Sequence, residues 1–339
     1  MWYFFIRQKR AVSALVFLVT LVLLSIGNSF IHDGEIRRVS LLFDKNGTVS
    51  AAPFAPSAEF LLGTDRKGYD LLHLIIEGAK WTIGAGLLIT FMRIFIGLSI
   101  AIALAKFKKS LFRSFESFFD SFSVIPMTMI SYFLLQHVLT FSNGTTPEPF
   151  YLRVGFQMMI LIIFAVPTIT FYLGNEIKIL LNEEFVCSSK ILGGRYPHLL
   201  RKHIAPHLNP ILIILFLQQF IQVLVILIHL GVLQVFFGGT IVFHGGDIDS
   251  VTHEWTGLLG MYYPSFMSHP WIPLVPILFF TLTIISSTFI LSGLERAYFL
   301  SKQNGFKEQI NPIKVIPAAP SFSFIEENKT KKAHFPLDG

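Results

Sequence analysis

The chain has 339 residues, of which 53% are hydrophobic and only 14% are charged, and its mean hydropathy is +0.61. Soluble domains carry about 25% charged residues, so this composition excludes an ordinary soluble protein. The formal net charge of +6 arises from basic loops beside apolar segments. We interpret it as a signal of membrane topology and expect no nucleic-acid binding.

Several apolar segments are long enough to cross a membrane, which needs about 20 mostly apolar residues. In chain order these segments are residues 11–31, 81–105, 118–141, 154–173, 210–237 and 271–294. The first is longer than the core of a signal peptide and lacks a small-residue cleavage site, so we expect it to be retained. One such segment could be a buried core helix, but a set of this size predicts an all-α membrane protein with six transmembrane helices.

Lysine and arginine residues are concentrated on alternate sides of these segments. They precede the first segment and follow the second, fourth and sixth, whereas the loop 238–270 has none and carries acidic residues. Short loops rich in lysine and arginine stay in the cytoplasm. The pattern predicts cytoplasmic termini and a multi-pass plasma-membrane or inner-membrane protein of bacterial type.

The polar stretches suggest how the chain is organised. Residues 1–80 are expected to form the first span and an external loop. Residues 81–300 form a membrane core with a long cytoplasmic loop, 175–209. Residues 301–339 have little periodicity and are expected to be a flexible cytoplasmic tail. In the external loop, residues 69–80 are predicted to form a short helix that leads into the second span.

The cytoplasmic loop is predicted to form two short helices. In the first, residues 183–192, apolar or small side chains share one face. Asn182 is expected to cap its start and Gly193 to end it. The second is expected to begin at Pro197 and to be stopped by Pro206 and Pro210. Such a pair could fit a groove on another protein or lie against the membrane surface.

A short motif in this loop is similar to one in a known family. Its residues, in order, are Glu184, Phe185, Cys187, Ser188, Ser189, Gly193, Ile204 and Pro206. The spacing resembles the Glu-Ala-Ala loop of binding-protein-dependent ABC importer permeases. Cys187 stands where that family has glutamate, and serines stand where it has alanines. The resemblance implies a coupling helix that docks on an ATPase subunit, with one contact altered at Cys187.

Two predicted external segments extend the resemblance to the dipeptide/oligopeptide "C"-type permeases, over about residues 11–298. The matching residues are Gly63, Thr64, Asp65, Gly68 and Asp70 before the second span, with Trp255 and Gly257 in the last external loop. Tyr69 replaces the arginine that the family has before Asp70. The resemblance implies that these residues contact an external solute-binding protein.

The resemblance implies a type I ABC importer permease fold and a set of partners. These are a second homologous permease, two cytoplasmic ABC ATPase subunits, an extracellular solute-binding protein and the membrane lipid. Peptide is the expected cargo. A metal chelate or another small solute is an open alternative, and so is a signalling or scaffold protein of the same fold that transports nothing.

The chain itself is not expected to be an enzyme or to hold a cofactor or metal. It has no glycine-rich phosphate loop ending in Gly-Lys-Ser/Thr, so ATP hydrolysis is expected on partner subunits. The basic loop carries His198, His203 and His207 without carboxylate or thiol support, so we interpret them as solvated helix residues.

A few polar residues lie inside the predicted spans, where an ionisable group must face protein or water. Arg93 could line a translocation pathway or bind a carbonyl of a neighbouring helix, and both interpretations are open. Gln218, Gln222 and His229 share one face of the fifth span. In the family this helix borders the pathway, so we predict that these three residues are pathway candidates, and Arg93 is a fourth.

Overall fold

The structure is a computed structural model that describes residues 2–31, 35–43, 49–122 and 124–310, and helices dominate it. In chain order the helices are α1 (Trp2–Ile6), α2 (Lys9–Ile31), α3 (Leu71–Leu104), α4 (Lys109–Phe122), α5 (Met127–Leu139), α6 (Phe150–Ile163), α7 (Val166–Leu181), α8 (Glu184–Ile191), α9 (Tyr196–Leu199), α10 (Ala205–Val232), α11 (Trp255–Tyr262) and α12 (Trp271–Ile310). Short strands are β1 (Leu41–Phe43), β2 (Val49–Ala51), β3 (Thr140–Ser142), β4 (Thr240–Val242) and β5 (Ile248–Ser250).

Four helical stretches among the described residues are individually long and apolar enough to cross a membrane. They are Lys9–Ile31, Leu71–Leu104, Tyr196–Val232 and Trp271–Gln303. A fifth arises only if α6 and α7 are counted as one span, bent by 42°. Pro167 explains the bend, because its ring would clash with the carbonyl of Ile163 in a straight helix.

The predicted third span, residues 118–141, is not one helix. It is divided between the end of α4 and all of α5, and Pro126 lies at the start of α5. Proline disfavours helical geometry in the residue before it, so the chain turns there. With 13 residues, α5 is about 20 Å long, which is shorter than the hydrocarbon core of about 30 Å.

Helix α3 lies at the centre of the bundle and packs against α2, α6, α7, α10 and α11. Glycines on α3 make this close packing possible. At Gly97 an added Cβ would lie 2.7 Å from a side-chain carbon of Ile169 in α7. At Gly86 it would lie 2.9 Å from the ring of Phe220 in α10. Small residues allow helix backbones to approach closely, as membrane helix interfaces require.

The two ends of the bundle differ in character. One end, called the strand end, carries β1 to β5 and α11, with β3 parallel to β4 and β4 antiparallel to β5. The other, called the coupling end, carries α8 and α9. Helix α3 runs from one to the other over about 50 Å. The predicted tail begins inside α12, which continues to Ile310, and residues 311–339 lie outside the described residues.

Candidate functional site

At the coupling end, α8 rests on the rest of the chain through one buried side chain, that of Val186. Its neighbour Phe185 is 41% exposed, and the ring lies 5.2 Å from that of His207. Just beyond, Ile191 and Leu192 are 87% and 88% exposed. Adjacent large aliphatic side chains with this degree of solvent exposure are typical of a surface that another protein covers.

Cys187, which stands where the similar permeases have glutamate, does not point away from the chain. Its side chain is half-buried, and Sγ lies 3.9 Å from the carbonyl oxygen of Leu181 at the end of α7. Ser188 donates to the carbonyl of Glu184 within the same helix. The altered position therefore faces α7, and the apolar residues beyond it form the exposed part of α8.

The prediction that Asn182 caps α8 is wrong. Asn182 has helical backbone angles and closes α7, where its Nδ2 donates to the carbonyl of Lys178 at 3.0 Å. A capping residue needs an extended backbone, and Glu183 has it, although its side chain forms no capping hydrogen bond. As predicted, α8 ends before Gly193, whose φ of +89° suits glycine.

The prediction that Pro206 and Pro210 stop the second helix of the loop is wrong, because this helix continues as a span through both prolines. A π-helical turn, Leu200–Ile204, joins α9 to α10 without a break. Pro206 follows the π-helical turn directly, at the second residue of α10, and the buried Ile204 packs into the core. Tyr196 anchors α9 to α3 by donating to the carbonyl of Ile102 at 2.9 Å.

At the strand end, Asp65 organises the first predicted external segment. Its Oδ1 accepts the backbone N–H groups of Lys67 and Tyr69 at 2.9 and 2.8 Å. Its Oδ2 accepts the hydroxyl of Tyr262 in α11 at 3.0 Å. Burial raises the pKa of Asp65 above its ordinary value of 3.8, against the lowering effect of these hydrogen bonds.

The neighbouring motif residues have structural roles in the same turn. Thr64 accepts the N–H of Phe54 on Oγ1, and Asp70 caps α3 by accepting the N–H of Leu72. Gly63 and Gly68 have φ of +78° and +81°, a conformation that favours glycine.

Hydrogen bonds from Trp255 attach α11 to α3. The indole Nε1 of Trp255 donates to the carbonyl of Ile75 at 2.8 Å, and its backbone N–H donates to Thr82. Glu254 caps α11 by accepting the N–H of Thr256, and burial raises the pKa of this carboxyl. Gly257 leaves no room for a side chain, since a Cβ would lie 2.7 Å from Oγ of Ser250.

The motif residues predicted to contact a binding protein are therefore buried inside this chain. Thr64, Asp65 and Trp255 are at most 2% exposed. They hold the strand end in shape, and the exposed side chains beside them include Arg66 and Lys67. Contact with a binding protein stays a prediction, and it would be made by the exposed neighbours that the motif positions.

Arg93 is fully buried and binds a carbonyl on another helix. At the bend between α6 and α7, the N–H of Ala165 bonds to Ile162 and leaves the carbonyl of Leu161 without its usual helical donor. The Nε and Nη2 groups of Arg93 donate to that carbonyl at 2.9 and 2.6 Å, and Nη1 donates to Gln219 at 3.3 Å. These are the contacts of a residue that fixes helix packing.

The polar side chains predicted along the fifth span lie on an open face of α10. Gln218, Gln222 and His229 are exposed in this chain, and Gln218 donates to Oε1 of Glu295 in α12 at 3.4 Å. Lining of a pathway stays a prediction for them. The pairs Arg93–Gln219 and Gln218–Glu295 could not be predicted from the sequence, because each joins side chains of separate helices.

No family model matches the chain. It is similar to "Peptide transport system permease protein SapC" of Haemophilus influenzae (strain ATCC 51907 / DSM 11121 / KW20 / Rd), with 24% identity over 239 residues. The match covers 70% of this chain and 73% of that protein. This chain is a divergent relative of the peptide transport permeases. Together with its apolar helices, this makes it a multi-pass protein of the bacterial inner-membrane type. The name of this relative describes a permease, which agrees with the transport subunit expected for this chain.

Proposed function

We propose that this chain is one of two transmembrane subunits of an ATP-driven importer that takes up peptides delivered by an external solute-binding protein. The observation that carries the proposal is the exposed apolar surface of the coupling end. Phe185, Ile191 and Leu192 are exposed there, while Val186 is the one fully buried side chain of α8. A short helix presented in this way is suited to a groove on an ATPase subunit.

We further propose the type I importer fold, with six transmembrane helices and both termini in the cytoplasm. Helix α5 packs against α6 and α10. Together with its flanking residues it would form the third span in chain order and bring the number of spans to six. The basic loops would lie inside, on the side of α8 and α9. The polar face of α10 would border the pathway together with the second permease, because Gln218, Gln222 and His229 are exposed in this chain.

The connections of the loop suggest how movement of an ATPase would reach the spans. The π-helical turn passes directly into α10, and Tyr196 is bound to the end of α3. A pull on α8 would therefore tilt two central helices together. ATP and cargo can shift the equilibrium between inward-open and outward-open states only if each contacts the two states differently.

Co-purification from the native membrane tests the assembly. The full tagged chain is extracted in mild detergent and its partners are identified by mass spectrometry. An ATPase, a second permease and a solute-binding protein are the expected companions. Absence of an ATPase even after chemical cross-linking would contradict the importer and favour a role without transport.

A matched pair of variants locates the ATPase contact. Ile191→Asp places a charge on the exposed end of α8, and Leu61→Asp places one on a 67% exposed residue at the strand end. We expect Ile191→Asp to reduce ATPase recovery about tenfold or more, since desolvating an unpaired charge is costly, and Leu61→Asp to leave it unchanged. Equal recovery in both variants would show that α8 is not the docking surface.

A further inference from the structure

A cavity of about 500 Å³ opens at the coupling end between α4, α7 and α8. Its wall includes Arg113 from α4, Lys178 from α7 and Lys190 from α8. Glu116 is the acidic residue of the wall, so three cations against one carboxylate give a net charge of +2. A pocket of this charge is suited to an anion.

The polar contacts inside the cavity hold its charges in place. Oε1 of Glu116 accepts the side-chain amide of Asn175 at 2.6 Å. Nζ of Lys178 donates to the carbonyl of Phe107 at 3.3 Å and lies 3.6 Å from the centre of the Phe112 ring. Within the described part of the chain, neither Arg113 nor Lys190 forms an ion pair. An anion would therefore meet two cations whose charge is not already neutralised.

Helix α4 places this cavity at a membrane surface. One face of α4 carries Leu111, Phe115 and Phe118, all more than 40% exposed, while Phe112 from the same side packs under Gly174 of α7. Serines and Arg113 occupy the opposite face. A helix with a broad apolar face and a polar opposite face lies along the boundary between lipid headgroups and acyl chains.

We propose that the cavity binds the phosphate of an anionic phospholipid headgroup, with Arg113 and Lys190 as its main cationic ligands. The guanidinium of Arg113 can hold two phosphate oxygens, and the ammonium of Lys190 supplies a third donor. The exposed aromatic side chains of α4 lie among the acyl chains of the same lipid. This exposed apolar face favours a lipid over a soluble anion, which would gain nothing from it.

The lipid would connect α4 to α8, so the position of the docking helix would depend on the anionic lipid beside it. This inference rests on the inside orientation in the proposed function but on no part of the transport step. It is testable on the isolated full chain. The result is therefore independent of whether an ATPase co-purifies.

Native mass spectrometry of the full, delipidated chain in a neutral detergent measures the binding. Dioleoyl-phosphatidylglycerol, dioleoyl-phosphatidylcholine and glycerol 3-phosphate are added in separate titrations. We expect phosphatidylglycerol to bind, and the double change Arg113→Gln with Lys190→Gln to weaken it about tenfold or more. The control is Arg201→Gln with Lys202→Gln, which removes the same charges from exposed residues outside the cavity. It should leave binding unchanged.

A second variant distinguishes loss of the site from loss of the fold. Glu116→Gln removes the carboxylate of the wall but keeps an oxygen for Asn175, so phosphatidylglycerol should bind several-fold more tightly. A damaged fold would not strengthen binding. Equal binding of phosphatidylcholine, or an unaffected Arg113 and Lys190 variant, would overturn the proposal. Glycerol 3-phosphate binding as tightly as the lipid would assign the cavity to a soluble anion instead.

Discussion

At the scale of single residues, buried polar groups decide how the helices pack. Arg93 shows this directly, because the bend at Pro167 frees the carbonyl of Leu161 and the guanidinium supplies its missing donors. Burying an arginine without such partners would be costly. The bend and the arginine therefore stabilise each other, and a substitution at Pro167 or at Arg93 should disturb the packing around both.

Replacing Arg93 separates a packing role from a pathway role. Arg93→Met would leave the Leu161 carbonyl and Gln219 without donors, so we expect the free energy of unfolding to fall by about 1–3 kcal/mol. Thermal unfolding of the purified chain in detergent measures this. Arg93→Lys keeps the charge but not both donors to Leu161. Full stability with loss of peptide uptake in Arg93→Lys would point to contact with cargo instead.

Because the pKa of the Asp65 carboxyl is raised, we expect this residue to stabilise the fold less as the pH rises, opposite to an ion-paired carboxylate. The pKa of Asp65 is raised above 3.8 in the folded chain. Between pH 3.8 and this higher pKa, the carboxyl is mostly protonated in the folded state and mostly ionised in the unfolded state. The contribution of Asp65 to stability should therefore fall as the pH rises through the range between the two pKa values. Asp65→Asn cannot ionise and should flatten the slope of melting temperature against pH from about 4 upward. The exposed Glu148→Gln serves as control, and an identical slope in all three proteins would contradict the prediction.

At the scale of secondary-structure elements, glycines set how closely helices and loops approach. Helix α3 offers a matched pair. A Cβ at Gly78 would lie 2.6 Å from the carbonyl oxygen of His253, whereas nothing lies within 4 Å of one at Gly84. Backbone atoms cannot move aside as a side chain can, so α11 and the segment before it would have to shift away from α3.

The two alanine substitutions should therefore change the free energy of unfolding in opposite directions. Gly78→Ala is expected to lower the free energy of unfolding by about 1–3 kcal/mol, as overpacking does. Gly84→Ala should be neutral or stabilising by up to about 1 kcal/mol, because alanine favours a helix over glycine. Unfolding in a series of detergent mixtures with increasing denaturant measures both. Similar destabilisation by the two changes would mean that the approach of α11 to α3 is not as described.

At the scale of the whole molecule, the strand end and the coupling end should face opposite sides of the membrane. The chain has a single cysteine, so a Cys187→Ser background removes all other thiols. Met267→Cys at the strand end and Ile191→Cys at the coupling end replace residues that are 96% and 87% exposed.

Labelling with a membrane-impermeant maleimide tests this topology. In intact spheroplasts we expect Met267→Cys to react and Ile191→Cys to be protected, because basic loops stay in the cytoplasm. Once the membrane is opened and peripheral proteins are washed away, both should react. Labelling of both cysteines in intact spheroplasts would place the two ends on one side and would refute the proposed topology.

Several features were predictable because they depend on local composition and order along the chain. The apolar segments, the alternation of basic loops and the ordered motifs around Asp65, Glu184 and Trp255 are of this kind. They were sufficient to predict a multi-pass membrane protein related to peptide permeases, which the similarity to such a permease confirms.

Order along the chain is enough to locate the apolar segments and the motifs between them, whereas contacts between distant segments set the bonding partners of individual residues. Asp65 is bound by Tyr262, and Arg93 by the carbonyl of Leu161, and both pairs are far apart in the chain. Residues 118–141 look like one span by hydropathy, yet Pro126 divides them. Hydropathy sums over neighbours in sequence, whereas burial, bends and hydrogen-bond partners follow from neighbours in space.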